Sequence, residues 1–183
     1  MKRLVVVATA ALLAGCASSG NAPAETVRST VSVSGTDGAA TQTIESYMDV
    51  GGTTHRISAT PDKVWAVLPT VYQGLGITVG TSLPDYKTIG NSKLELNRTL
   101  GGQPLSTFLS CGDGPTGAPI ANSYRVNMAV VTTVAPAAGG GSQLETRVNA
   151  SATNRAVSGA AVNCATTGRL EGMIAERVRN QAM

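Results

Sequence analysis

The chain has 183 residues, of which 42% are hydrophobic, 3% aromatic and 14% charged. This length suits one domain. A charged share well below the ~25% of an average soluble protein excludes a charge-driven disordered chain, a coiled coil and a basic nucleic-acid binder.

A net charge of +3 creates no strong field, and 1 His with 3 Cys leaves little for a metal site. The first segment reads as an address. Lys2 and Arg3 form a short positive region, and residues 4–13 are an apolar run. Such a run has the length of a signal-peptide core. It is too short for a membrane-spanning helix, which needs ~20 residues. Leu13-Ala14-Gly15-Cys16 follows.

Charge, apolar core, small residues and Cys16 together resemble the bacterial lipoprotein signal. The competing reading is an ordinary signal peptide with a chance Cys. The resemblance implies that Cys16 receives a diacylglycerol on its sulfur. It also implies cleavage before Cys16 and acylation of the new N-terminus. Two or three acyl chains anchor stably, whereas one holds only marginally. Ala17 stands where Asp, in the sorting rule of two-membrane bacteria, favours the inner membrane. An outer-membrane anchor facing the periplasm is therefore expected. Loss of Lys2 and Arg3 leaves the mature side chains near neutral.

Residues 16–40, rich in Ser, Gly, Thr and Ala, read as the lipidated N-terminus and a flexible tether. Within it Thr30-Val31-Ser32-Val33-Ser34 alternates as a short strand would, with Gly35 and Gly38 in its turn. One domain is expected over 41–183. Gly51-Gly52 marks a turn, and residues 54–59 read as a strand.

Thr60-Pro61-Asp62 starts a helix, with Thr60 as N-cap and Asp62 near the positive end of the dipole. Val64, Trp65, Leu68, Val71, Tyr72 and Leu75 lie on one helical face, and Gly74 and Gly76 stop it. Short extended stretches are expected at 77–80, from Thr88 and over 93–98. Another strand is expected over 105–111. Residues 112–122 hold three Gly and two Pro, and read as a loop.

Tyr124, Val126, Met128, Val130, Thr132 and Val134 alternate with Arg125, Asn127 and Ala129. After Gly139-Gly140-Gly141, Leu144, Thr146, Val148 and Ala150 alternate with Gln143, Glu145, Arg147 and Asn149. Two such runs about a Gly turn make an antiparallel hairpin. The last segment, 167–183, reads as a helix. Leu170, Met173, Ile174 and Val178 face inward, with Arg169, Glu171, Glu176, Arg177 and Arg179 outside.

The order β-α-β-β-β-β-α points to an α+β two-layer sandwich, an antiparallel sheet covered on one face by two helices. Ala59, Val64-Trp65, Leu68, Leu75-Gly76-Ile77 and Ile89-Gly90 resemble the pattern of helix-grip domains. They are also similar to the domains of the C lipoprotein of the outer-membrane barrel-assembly machinery. The likeness covers about residues 53–98 and is one of fold, so no activity transfers.

With Cys16 lipidated, Cys111 and Cys164 are expected to pair in an oxidising envelope compartment. A redox role lacks the Cys-x-x-Cys spacing. His55, beside Arg56, has no nucleophile or orienting acid near it in sequence. No nucleophile elbow, zinc-protease motif or phosphate loop occurs. No catalytic residue, metal or cofactor is therefore expected, and no nucleic acid. The 112–122 loop, anchored at Cys111 and stiffened by Pro115 and Pro119, is the candidate partner contact, with Asp113 and Ile120.

Three functions stay open. The first is a non-catalytic binding or envelope-assembly module on the outer membrane, with an envelope protein or lipid as partner. The second is a small-molecule or lipid carrier, if small residues such as Thr146, Ala150 and Ala152 leave a cavity. The third is an envelope hydrolase assembled from dispersed carboxylates.

Overall fold

The computed structural model describes residues 26–33, 42–49, 51–154 and 161–183. The signal-like segment, Cys16, residues 17–25 and the turn at 35–38 lie outside the described residues. Strands β1 (Thr26–Val33) and β2 (Gln42–Asp49) form an antiparallel hairpin. The first strand therefore opens inside the stretch expected to be tether. Its ladder runs over 8 residues, beyond the five that alternate visibly.

Strand β3 (Thr53–Ile57) leads into helix α1 (Pro61–Gly74). Pro61 stands in the first turn as expected, but the Thr60 side chain makes no capping bond. Its carbonyl instead accepts from the Val64 amide at 3.0 Å. At the other end Gly76 has a positive φ of 75°. The Gly76 amide donates to Gln73 O at 3.0 Å, and that of Ile77 to Tyr72 O at 2.9 Å. This paired capping pattern satisfies the last helical carbonyls. It also draws Ile77 into the core. The strand expected at 77–80 is therefore displaced to β4 (Thr81–Leu83).

A 3-10 turn, Pro84–Tyr86, precedes β5 (Thr88–Asn97). An irregularity between Asn91 and Leu94 joins the two expected stretches into this one strand. A small hairpin, β6 (Thr99–Leu100) and β7 (Gln103–Pro104), turns at Gly101-Gly102. The strand expected over 105–111 is a 3-10 turn, Leu105–Thr107, followed by the two-residue β8 (Leu109–Ser110). Leu105, Phe108 and Leu109 are buried at helical rather than alternating spacing, which explains the difference.

The rest is a one-turn helix α2 (Ile120–Ser123), strands β9 (Arg125–Pro136), β10 (Ser142–Thr153) and β11 (Val162–Thr166), and helix α3 (Arg169–Ala182). The main sheet is antiparallel and open, in the order β4-β5-β9-β10-β11-β8. The far edge of β10 is divided. Ser142 to Thr146 pair with β3, and Ala150 to Ala152 pair with β11.

The protein is thus α+β, with α1 and α3 side by side on one face of the sheet. Val64, Leu68, Val71 and Tyr72 of α1 and Leu170, Ile174 and Val178 of α3 bury against Met128, Val130, Leu144 and Val148. Trp65 is only half-buried, at the rim. Glu171, expected outside, is 1% exposed. It lies in the first turn of α3, where the Thr166 hydroxyl donates to its Oε1 at 2.7 Å. Among the described residues no helix is long and apolar enough to cross a membrane.

Candidate functional site

Cys111 and Cys164 form a disulfide, with Cα atoms 4.2 Å apart. It ties the residue after β8 to the middle of β11, beside the adjoining ladder of Ala165 with Ser110. Both sulfurs belong to the buried core. From Cys111 the chain makes the Gly- and Pro-rich excursion, which is internally braced. Asp113 and Pro119 form an antiparallel bridge. The Gly114 amide donates to Ala118 O at 2.8 Å, and that of Ile120 to Gly112 O at 3.0 Å.

At the base, Asn122 bonds Ser106 twice. Its Oδ1 accepts from the Ser106 amide at 2.9 Å, and its Nδ2 donates to Ser106 Oγ at 2.9 Å. Asp113, Pro115 and Pro119 are exposed at the tip. Ile120 is buried, 6% exposed, and cannot serve as a contact residue. Pro119 leads into α2, and that single turn points Ile120 and Ala121 into the core. A four-residue helix within so many Gly and Pro carries no periodic signal, so the sequence shows only a loop.

A second feature is a shallow, open cleft of about 590 Å³ where β3 meets the start of α3. His55, Thr167, Arg169, Met173, Glu176 and Arg179 line it. The buried His55 Nε2 has no hydrogen-bond partner. Burial, and then the Arg179 charge, hold the imidazole below its ordinary pKa of 6.5. Both causes favour the neutral ring. Its hydroxyl neighbour is already committed, since Thr167 Oγ1 donates to Thr107 O at 2.8 Å. The sequence places Arg169, Glu176 and Arg179 on one outer helix side, but only the topology brings His55 to them.

Among the described residues Glu176 is the one carboxylate that lines this cleft. Asp62 pairs with Lys87 at 2.6 Å and Glu145 with Arg147 at 2.7 Å, while Glu171 is buried against Thr166. Among the described residues no group of three His, Cys, Asp or Glu is placed to hold a metal.

Beneath α1 lies a chain of hydroxyls. Tyr72 Oη donates to Thr132 Oγ1 at 2.8 Å, and Thr132 and Thr146 share a bond of 3.0 Å. Tyr72 is fully buried, and burial pushes its pKa up to about 12. It occupies the space between helix and sheet. Thr146 and Ala152 are buried in that packing, with Ala150 half-buried beside it. No protein-family model, no curated protein and no solved structure matches the chain.

Proposed function

We propose that the chain is a lipid-anchored envelope protein whose α+β domain is a non-catalytic binding or assembly module. Its contact surface is the exposed tip of the 112–119 loop. The observation that carries this reading is the bracing of that tip. The disulfide, the Asp113–Pro119 bridge and the Asn122–Ser106 pair hold Asp113, Pro115 and Pro119 in place. A preordered surface loses less conformational freedom on association.

The anchor rests on the Cys16 pattern, and its outer-membrane placement on Ala17. Residues 17–25 separate that anchor from β1, so the domain stays within ~30 Å of the lipid surface at full extension. A carrier has less support, because Tyr72 fills the space under α1.

The test places a photoreactive residue at Thr116, on the tip, or at Lys63, exposed on α1. Both full chains are irradiated in the envelope, with and without Cys16→Ser. A discrete adduct several-fold stronger from position 116 is expected. Cys16→Ser is expected to release the chain from the membrane and abolish that adduct. Equal labelling from both positions, or a Cys16→Ser chain still held at the membrane, would overturn the reading.

A further inference from the structure

The main sheet ends at β4, and this end is open to solvent. Every residue from 78 to 86 is exposed. Four large hydrophobic side chains are exposed among the described residues. Three of them lie here: Val79 at 37%, Leu83 at 45% and Tyr86 at 74%. Edge strands are normally blunted by Lys, Pro or a bulge that turns the edge away. Thr78-Val79-Gly80-Thr81-Ser82-Leu83 contains no charge and no Pro.

On its inner side this segment is held against β5, with an offset at Gly80. Thr81, Ser82 and Leu83 pair with Gly90, Ile89 and Thr88. The Gly80 amide donates to Gly90 O at 2.9 Å, and Asn91 Nδ2 donates to Thr78 O at 2.8 Å. On its outer side, among the described residues, no strand of the main sheet follows.

We propose that this edge pairs with the same edge of a second copy, making one continuous antiparallel sheet across a two-fold axis at Thr81. Such a contact uses one patch twice, so the patch must match itself. This one does. Antiparallel pairing about Thr81 sets Val79 of each copy opposite Leu83 of the other. Exposed apolar side chains therefore meet each other. Residues 78–84 carry no charge, so the axis opposes no like charges.

A strand from another protein would gain the same backbone bonds but not the matched Val79–Leu83 pairs, which favours the second copy. The patch is small, below the ~1,200 Å² of a standard interface, so association in the micromolar range or weaker is expected. The pairing depends neither on the loop nor on the anchor, and so stands apart from the function proposed above.

Thr81→Cys in the full chain tests it. Residue 81 meets its own symmetry mate, so mild oxidation is expected to give disulfide-linked dimer in several-fold greater yield than Lys63→Cys. Adding Val79→Lys and Leu83→Lys opposes like charges across the axis and is expected to remove that excess. Light scattering of the unmodified full chain provides a measurement free of substitution. Its mass is expected to rise from monomer toward dimer between low-micromolar and near-millimolar concentration. A constant monomer mass, or no excess dimer from Thr81→Cys over Lys63→Cys, overturns the proposal.

Discussion

His55 is the only imidazole in the chain, so its titration can be followed without overlap. Burial is the larger cause of its lowered pKa, and the Arg179 guanidinium the smaller. Below pH 6.5 the unfolded chain therefore takes up a proton that the folded chain resists. The stability this neutral ring contributes is complete above pH 6.5 and declines as pH falls through the folded value. Arg179→Ala removes the second cause. It is expected to raise the NMR titration midpoint of the ring and to soften the loss of stability in acid. A midpoint unmoved or lowered in Arg179→Ala would show that the guanidinium does not act on this ring.

The hairpin of β9 and β10 is the strongest element, and its turn shows how a local signal is completed by a distant one. Three glycines with positive φ close it. From β3, Arg56 Nη2 donates to Ala138 O at 2.9 Å and to Gly140 O at 3.1 Å. The glycines differ in their surroundings. A Cβ on Gly140 meets nothing within 4 Å, whereas one on Gly141 runs into the Ile57 carbonyl of β3. Gly140→Ala is expected to cost about 1 kcal/mol, for the left-handed backbone alone. Gly141→Ala, which adds a backbone clash, is expected to cost about 3 kcal/mol. Urea midpoints of the two variants compare them directly. Equal losses would contradict the close approach of β3 to the turn.

Across the whole molecule, the Cys111–Cys164 bridge spans 53 residues. The loop-closure model assigns ~4 kcal/mol to a loop of that size. This is a large share of a typical total stability of ~5–15 kcal/mol. The chain has one Phe and one Trp. Much of its core is built from medium-sized Val, Leu, Ile and Ala side chains, so the covalent tie matters more than in an aromatic-rich domain. Cys111→Ser with Cys164→Ser is expected to lower the unfolding free energy by about 4 kcal/mol. A loss under about 1 kcal/mol would mean that the bridge merely follows a fold already secured by packing.

Much of this architecture was legible in the sequence. The faces of α1 and α3, the β9–β10 hairpin and its glycine turn, and the Cys111–Cys164 pair all follow from local periodicity, terminal residues or residue chemistry. These signals sit within a few residues of the features they specify. Periodicity reports which side of an element is apolar, but not what arrives opposite it. Glu171 reads as an outward residue until Thr166 folds back over it. Ile120 reads as a loop residue until one helical turn directs it inward. Leu105, Phe108 and Leu109 read as strand until the core accepts them at helical spacing.

The cleft at His55 and the open edge at β4 exist only because the sheet order sets β3 beside α3 and leaves β4 outermost. By itself the sequence determined the α+β class, the main elements and the disulfide, because each is encoded in residues close in sequence or in residue chemistry. Only the tertiary structure decided which loop residues face solvent, where the lone His sits and which strand edge stays free. Those depend on long-range pairing, which a local pattern does not specify.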